Sequence, residues 1–227
     1  MHAVITDAKQ PLLTWGIGRY VEWKLRSAFR GLWLEGALPE GDEGVLCYVN
    51  HASFWDGFLA HVLAKRAGRD GYAVMEEQNL ARYRFLTRLG AFSIRRNDSH
   101  SALETFRYAR EVLKRPKSTV FIFPQGKIEP NAAPPLKFER GTEVLARMTK
   151  ARCVPIALRY AFFEHEYPDV LVSVGEAHAP ERLEAMESRL NALVTRLRAI
   201  DSVSGLTPLM RGHLGVAERW DVARGLS

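Results

Sequence analysis

The chain reads as an α/β protein: a single domain with a mainly parallel central sheet and helices on both faces. Two observations predict this. Short strand-like runs alternate with longer helical patterns between residues 45 and 200, the order expected of strand-helix-strand units. Several runs, Val45-Leu46-Cys47-Tyr48-Val49 and Thr119-Val120-Phe121-Ile122-Phe123 above all, are continuously apolar, as strands covered on both faces are. With 227 residues, 47% of them hydrophobic, the chain can fill one such core and is too short for two large ones.

The first patterned segment, residues 15–34, has helical spacing. Ile17, Val21, Leu25, Ala28 and Leu32 share one face, Arg19, Arg26 and Arg30 fall opposite, and Trp15, Trp23 and Trp33 lie towards the basic side. Two uses fit it. One is a surface helix packing its apolar stripe on the sheet. The other is a helix in a bilayer interface, with arginines on anionic headgroups and tryptophans at headgroup level.

Strand 45–50 and helix 54–66 follow, then strand 72–75, helix 79–89, strand 91–95 and helix 99–115. Strand 119–124 breaks at Pro124 and Gly126, and the prolines up to Pro135 make the next stretch a loop, from which Lys127 or Lys137 could reach a phosphate. Helix 139–149, strands 153–160 and 170–175, and helix 180–200 complete the pattern. Beyond residue 201 the chain turns polar and glycine-bearing, compatible with a short helix around Val216 to Ala223 or with a poorly ordered tail. The division expected is therefore 1–36 as an N-terminal amphipathic helix, 37–200 as the main domain and 201–227 as a polar tail.

Composition narrows the function classes. No segment has the pattern of a secretory signal, and no apolar run approaches the about 18 residues of a membrane span, so the expectation is a cytoplasmic protein, neither exported nor integral. Cys47 and Cys153 each lie in an apolar run and read as buried thiols. A net charge of +6 fits anionic lipid or nucleic acid, but no zinc-finger spacing, RNP-like strand or KH loop is present, so nucleic acid is not the expected partner. The histidines other than His51 show no ligand-type spacing, so no metal is expected. The absence of a P-loop or G-x-G-x-x-G removes nucleotide and dinucleotide chemistry.

The chemistry concentrates in Asn50-His51-Ala52-Ser53-Phe54-Trp55-Asp56, just after the apolar run 45–49. A histidine leaving a buried strand with a carboxylate five positions on is a candidate general base with its orienting partner. Five residues along a regular helix turn two side chains about 140° apart, so His51 must precede the helix and Asp56 must lie in its first turn. Ser53-x-x-Asp56 equally matches a capping box, in which the carboxylate satisfies backbone N–H groups. Phe54 and Trp55 either pack in the core or shape a substrate path. Arg95-Arg96, ending an apolar strand, could grip a phosphate bidentately.

Three further blocks accompany this one: Gly90-Ala91-Phe92-Ser93-Ile94-Arg95-Arg96, then Phe123-Pro124-Gln125-Gly126-Lys127-Ile128-Glu129, then Cys153-Val154-Pro155-Ile156-Ala157-Leu158. With them, residues 45–175 resemble the glycerolipid acyltransferases typified by bacterial 1-acyl-glycerol-3-phosphate (lysophosphatidic acid) acyltransferase. The first block fits the N-H-x-S-x-x-D pattern of that family at every fixed position. The third departs from its Phe-Pro-Glu-Gly-Thr-Arg-Ser, with Gln125 for the glutamate, Lys127 for the threonine and Ile128 for the arginine. Where many members carry a lysine before Glu-Leu, this chain has Met75-Glu76-Glu77-Gln78-Asn79-Leu80.

The resemblance implies transfer of a fatty acyl group to a lysophospholipid hydroxyl, with His51 and Asp56 catalytic. Asn50, Ser53, Arg95, Arg96, Phe123, Pro124, Gln125, Gly126 and Lys127 are implied as substrate-binding. It implies no bound cofactor, acyl-CoA or acyl carrier protein serving as donor, and a peripheral place on the inner face of the cell membrane. The departures leave two alternatives open: a different lipid acceptor (a glycolipid, glycosylated isoprenoid or amino-lipid), or a lipid-binding protein without turnover.

Overall fold

The computed structural model describes residues 4–95 and 98–225. Its centre is an eight-stranded sheet: β1 (Gly31–Glu35), β2 (Val45–Val49), β3 (Asp70–Glu76), β4 (Ala91–Ile94), β5 (Ser118–Ile122), β6 (Arg152–Ala161), β7 (Asp169–Val174) and β8 (Thr207–Arg211), in the order β4-β3-β5-β2-β6-β7-β1-β8. The block from β4 to β6 is parallel throughout. The chain then reverses: β7 runs antiparallel to β6, β1 lies parallel to β7, and β8 is antiparallel to β1.

Helices α1 (Pro11–Ala28) and α2 (Asp56–Arg66) cover one face, packing Val21, Leu25, Leu59, Val62 and Leu63 on the sheet. Helices α4 (Ser99–Leu113), α5 (Gly141–Thr149) and α6 (Leu183–Arg198) bury Phe106, Val112, Leu145, Met186 and Leu190 on the other. Burial on both faces is why the central strands carry uninterrupted apolar sequence. Cys47 and Cys153 are both buried and free, facing opposite cores. Desolvation pushes the Cys47 thiol far above its ordinary pKa and that of Cys153 up to about 12.

The structure differs from the sequence reading in three places. First, the amphipathic helix begins at Pro11, whose missing N–H costs nothing in a first turn, and ends at Ala28, because Phe29 is already extended. Trp33 is therefore not on the helix. It is buried in β1, and its indole N–H donates to Asp169 Oδ1 at 2.6 Å. Second, β1 and β8 are strands of the central sheet, although they fall in the segments assigned to the N-terminal helix and the C-terminal tail; α7 (Val216–Ala223) follows β8. Third, the helix expected over 79–89 is split into α3 (Glu77–Arg82) and a 3₁₀ turn, Arg84–Leu89, because Tyr83 is not helical. That turn stops at Gly90, where the expected helix was to end: with φ +99°, a Cβ would come within 2.5 Å of the Gly71 carbonyl oxygen, so only glycine fits.

Helix α1 is seated on α2 by a close contact between Gly18 and His61. A Cβ on Gly18 would lie 2.9 Å from His61 Nε2, and that nitrogen is buried without a hydrogen-bond partner among the described residues. Burial first, then the charges of Lys9 and Lys65, lower the His61 pKa to about 4. A histidine whose folded pKa is depressed binds fewer protons than in the unfolded chain, so its contribution to stability is intact above the unfolded value and is lost as pH falls through the interval down to 4. We expect thermal unfolding at pH 4.5 to fall below that at pH 7 by more in the wild type than in His61→Leu. The difference reflects at most about 3 kcal/mol.

Candidate active site

The site lies where the parallel strands end, the edge at which open α/β sheets hold ligands. Strand β2 stops at Val49, and the Asn50 side chain continues its pairing: Nδ2 donates to Leu158 O at 2.9 Å and Oδ1 accepts from Leu158 N at 2.7 Å. This fastens the start of the β2–α2 turn to β6. On the β5 side, the His51 N–H donates to Gln125 Oε1 at 2.7 Å, and the His51 carbonyl accepts from Glu129 N at 2.8 Å. The Phe123 ring stacks on the imidazole with centroids 4.4 Å apart. The backbone and ring of His51 are thus fixed from both neighbouring strands.

Its side-chain partner comes from α2. As the spacing requires, His51 precedes the helix and Asp56 is its first residue. Asp56 Oδ2 lies 2.7 Å from His51 Nδ1 and also accepts from the N–H groups of Ala52 at 2.7 Å and Ser53 at 2.9 Å. One carboxylate therefore both satisfies the turn and orients the histidine. Asp56 is fully buried, while the His51 side chain is 21% exposed. With Nδ1 directed at the carboxylate, Nε2 is left as the acceptor, and it has no partner among the described residues.

The other residues implied by the family pattern are placed as follows. Asn50 is spent on β6. Ser53 Oγ accepts from Trp55 N at 3.3 Å. Pro124 is buried. Gly126, with φ +69°, closes a turn in which its N–H donates to Phe123 O at 3.0 Å, so this N–H points into the turn. Lys127 is exposed and pairs with Glu129 at 3.0 Å. Arg95 is held by both carboxylate oxygens of Glu77, at 2.8 and 2.6 Å, a bond that raises its pKa. Arg96 lies outside the described residues. Trp55 packs edge-on against Phe29, and Phe54 is exposed.

Gln125 explains one departure from the family pattern. Only 5% exposed, it presents its carbonyl oxygen to His51 N–H and its amide to Glu129, which accepts a hydrogen bond from it. A glutamate here would still receive the N–H but would face Glu129 with a like charge. The amide at 125 and the carboxylate at 129 are a matched pair. Sequence reading also missed Tyr160, whose hydroxyl donates to Asp56 Oδ1 at 2.6 Å; no motif spacing points to a residue so far along the chain.

Among the described residues, no cluster of three or more His, Cys, Asp or Glu side chains could hold a metal ion, and no helix is long and apolar enough to cross a membrane. No protein of curated function matches the chain in sequence. The fold is similar to that of the crystal structure of the 1-acyl-sn-glycerophosphate (LPA) acyltransferase PlsC from Thermotoga maritima, with a TM-score of 0.57 and 17% sequence identity over 81% of this chain and 77% of that one. Residues 34–159, more than half of the chain, match the family described as Acyltransferase. That stretch contains the His51–Asp56 pair and the strands and loops that fasten it, and the chain belongs to the acyltransferase family, as an enzyme of that class.

Proposed function

We propose that this enzyme moves a fatty acyl group from a thioester, acyl-CoA or acyl carrier protein, to the free hydroxyl of a lysophospholipid, with 1-acyl-glycerol-3-phosphate as the leading acceptor. The observation that carries the reading is the buried Asp56 on His51 Nδ1 at 2.7 Å, with Nε2 unpartnered at the end of the parallel strands. His51 Nε2 takes the proton of the acceptor hydroxyl as its oxygen attacks the thioester carbonyl, and Asp56 stabilises the imidazolium that forms. The tetrahedral intermediate collapses, the C–S bond breaks, and the proton passes from His51 to the departing thiolate. No acyl-enzyme is required, and the thiol nearest the site in sequence, Cys47, is buried and held protonated.

A second reading keeps the reaction and changes the acceptor. Glu77 engages one edge of the Arg95 guanidinium with both carboxylate oxygens, Lys127 is paired with Glu129, and Ile128 stands where the family pattern has arginine. Cations already paired favour a headgroup other than a phosphate monoester, such as a glycolipid, glycosylated isoprenoid or amino-lipid.

The substrates are lipids, and α1 suits a peripheral place on an anionic membrane. Its apolar stripe is consumed by packing on α2 and the sheet, yet its outer face still presents Leu12, Trp15 (63% exposed), Tyr20 and Trp23 (59% exposed) beside Arg19 and Arg26.

Three outcomes are expected. His51→Ala lowers thiol release from palmitoyl-CoA in the presence of lysophosphatidic acid by about 10³-fold with unchanged circular dichroism; wild-type turnover would sink the mechanism, and release only with another lipid acceptor would select the second reading. Gln125→Glu lowers turnover, and adding Glu129→Ser to it restores activity; no recovery in the double variant would refute the matched pair. Trp15→Ser/Trp23→Ser weakens co-sedimentation with phosphatidylglycerol vesicles by about tenfold or more, whereas equal binding would remove α1 as the docking face.

A further inference from the structure

Three donors converge on one oxygen of Asp56, Oδ2: His51 Nδ1, Ala52 N and Ser53 N. The other oxygen, Oδ1, faces β6, where its donor among the described residues is the Tyr160 hydroxyl at 2.6 Å. A carboxylate bonded on one oxygen alone can turn about its Cβ–Cγ bond; one bonded on both is locked. Tyr160 is itself held in place. Its ring packs on Phe29 at the end of α1 with centroids 5.7 Å apart, and Phe29 rests edge-on against Trp55 at 5.4 Å.

We propose that Tyr160 is a positioning residue of the His51–Asp56 pair: its O–H fixes the carboxylate so that Oδ2 stays in line with His51 Nδ1. The proposal rests on the general-base reading of His51. Burial, and after it the charge of Asp56, push the phenol pKa far up, so this hydroxyl keeps its proton and donates across the working pH range. The titrating group facing it is Asp56 from α2, whose other oxygen meets His51 from the turn before that helix. Phe29 from α1 is apolar, and on the β5 side of His51 the neutral Gln125 stands before Glu129.

Tyr160→Phe keeps the ring on Phe29 and removes only the donor. We expect kcat to fall about tenfold, with KM for donor and acceptor within about twofold, because the lost bond orients the base rather than the substrates. The acid limb of the kcat profile should move to higher pH, since a carboxylate with one donor fewer attracts the imidazolium proton more strongly. The downfield His51 Nδ1 proton resonance, readable with no substrate present, should shift or broaden. A merely structural role would move none of these three.

Tyr160→Phe with wild-type kcat, pH profile and resonance would overturn the assignment. Should that variant fail to fold by circular dichroism, Phe29→Leu, which loosens the ring and keeps the O–H, carries the test: smaller changes in the same directions support the assignment, and none overturns it. A shifted resonance in Tyr160→Phe together with normal turnover in His51→Ala would leave the positioning role standing and strike the general-base reading instead.

Discussion

A carboxylate removed from water must be met by donors, and Asp56 is such a carboxylate at the end of the sheet. Its four bonds come from the turn that precedes α2 and from β6. Those elements are consequently fixed to one another within hydrogen-bond tolerance. The turn has to curl back so that two of its N–H groups point at Oδ2, and that curl swings His51 out of the strand line with Nδ1 facing the same oxygen. The geometry of the His51–Asp56 pair and the local fold therefore satisfy one electrostatic demand.

Around this centre, side chains replace backbone pairing wherever the strands have run out. Asn50 supplies an extra rung to Leu158, and Gln125 supplies one to His51 N–H. Both are amides, able to donate and accept, and both are buried. A loop held in this way has less freedom than its lack of regular structure suggests, which suits a histidine whose ring must keep one orientation.

Much of this was legible in the sequence, and what was not had physical causes. The parallel core strands and the place of His51 before α2 followed from apolar runs and from the geometry of a five-residue interval. Strands β1 and β8 escaped because Leu32 sits at helical spacing from Ala28, so a two-residue alternation was absorbed into a 3.6-residue stripe, and because β8, at the sheet edge, carries Pro208 and three exposed residues. Gly31, just past the end of the helix, was the available signal for the first. Asn50, Gln125 and Arg95 looked like substrate contacts, since their internal partners, Leu158, Glu129 and Glu77, are fixed by tertiary packing. Tyr160 was invisible for the same reason: 104 positions separate it from Asp56.

The reversal of the chain after β6 has a consequence for how such an enzyme can diversify. Because β7 and β1 run against the parallel block, the β6–β7 loop and the junction between α1 and β1 open at the same end as His51, and α7 follows β8 to that end as well. Arg30 joins the two chain ends there, bonding Asp169 and Glu218. Part of the rim at that end is thus made from segments that carry none of the four motif blocks. Insertions, deletions or exchanges there can reshape what approaches His51 while the rungs holding the histidine remain untouched, so evolution can vary the approach to this histidine separately from the bonds that orient it.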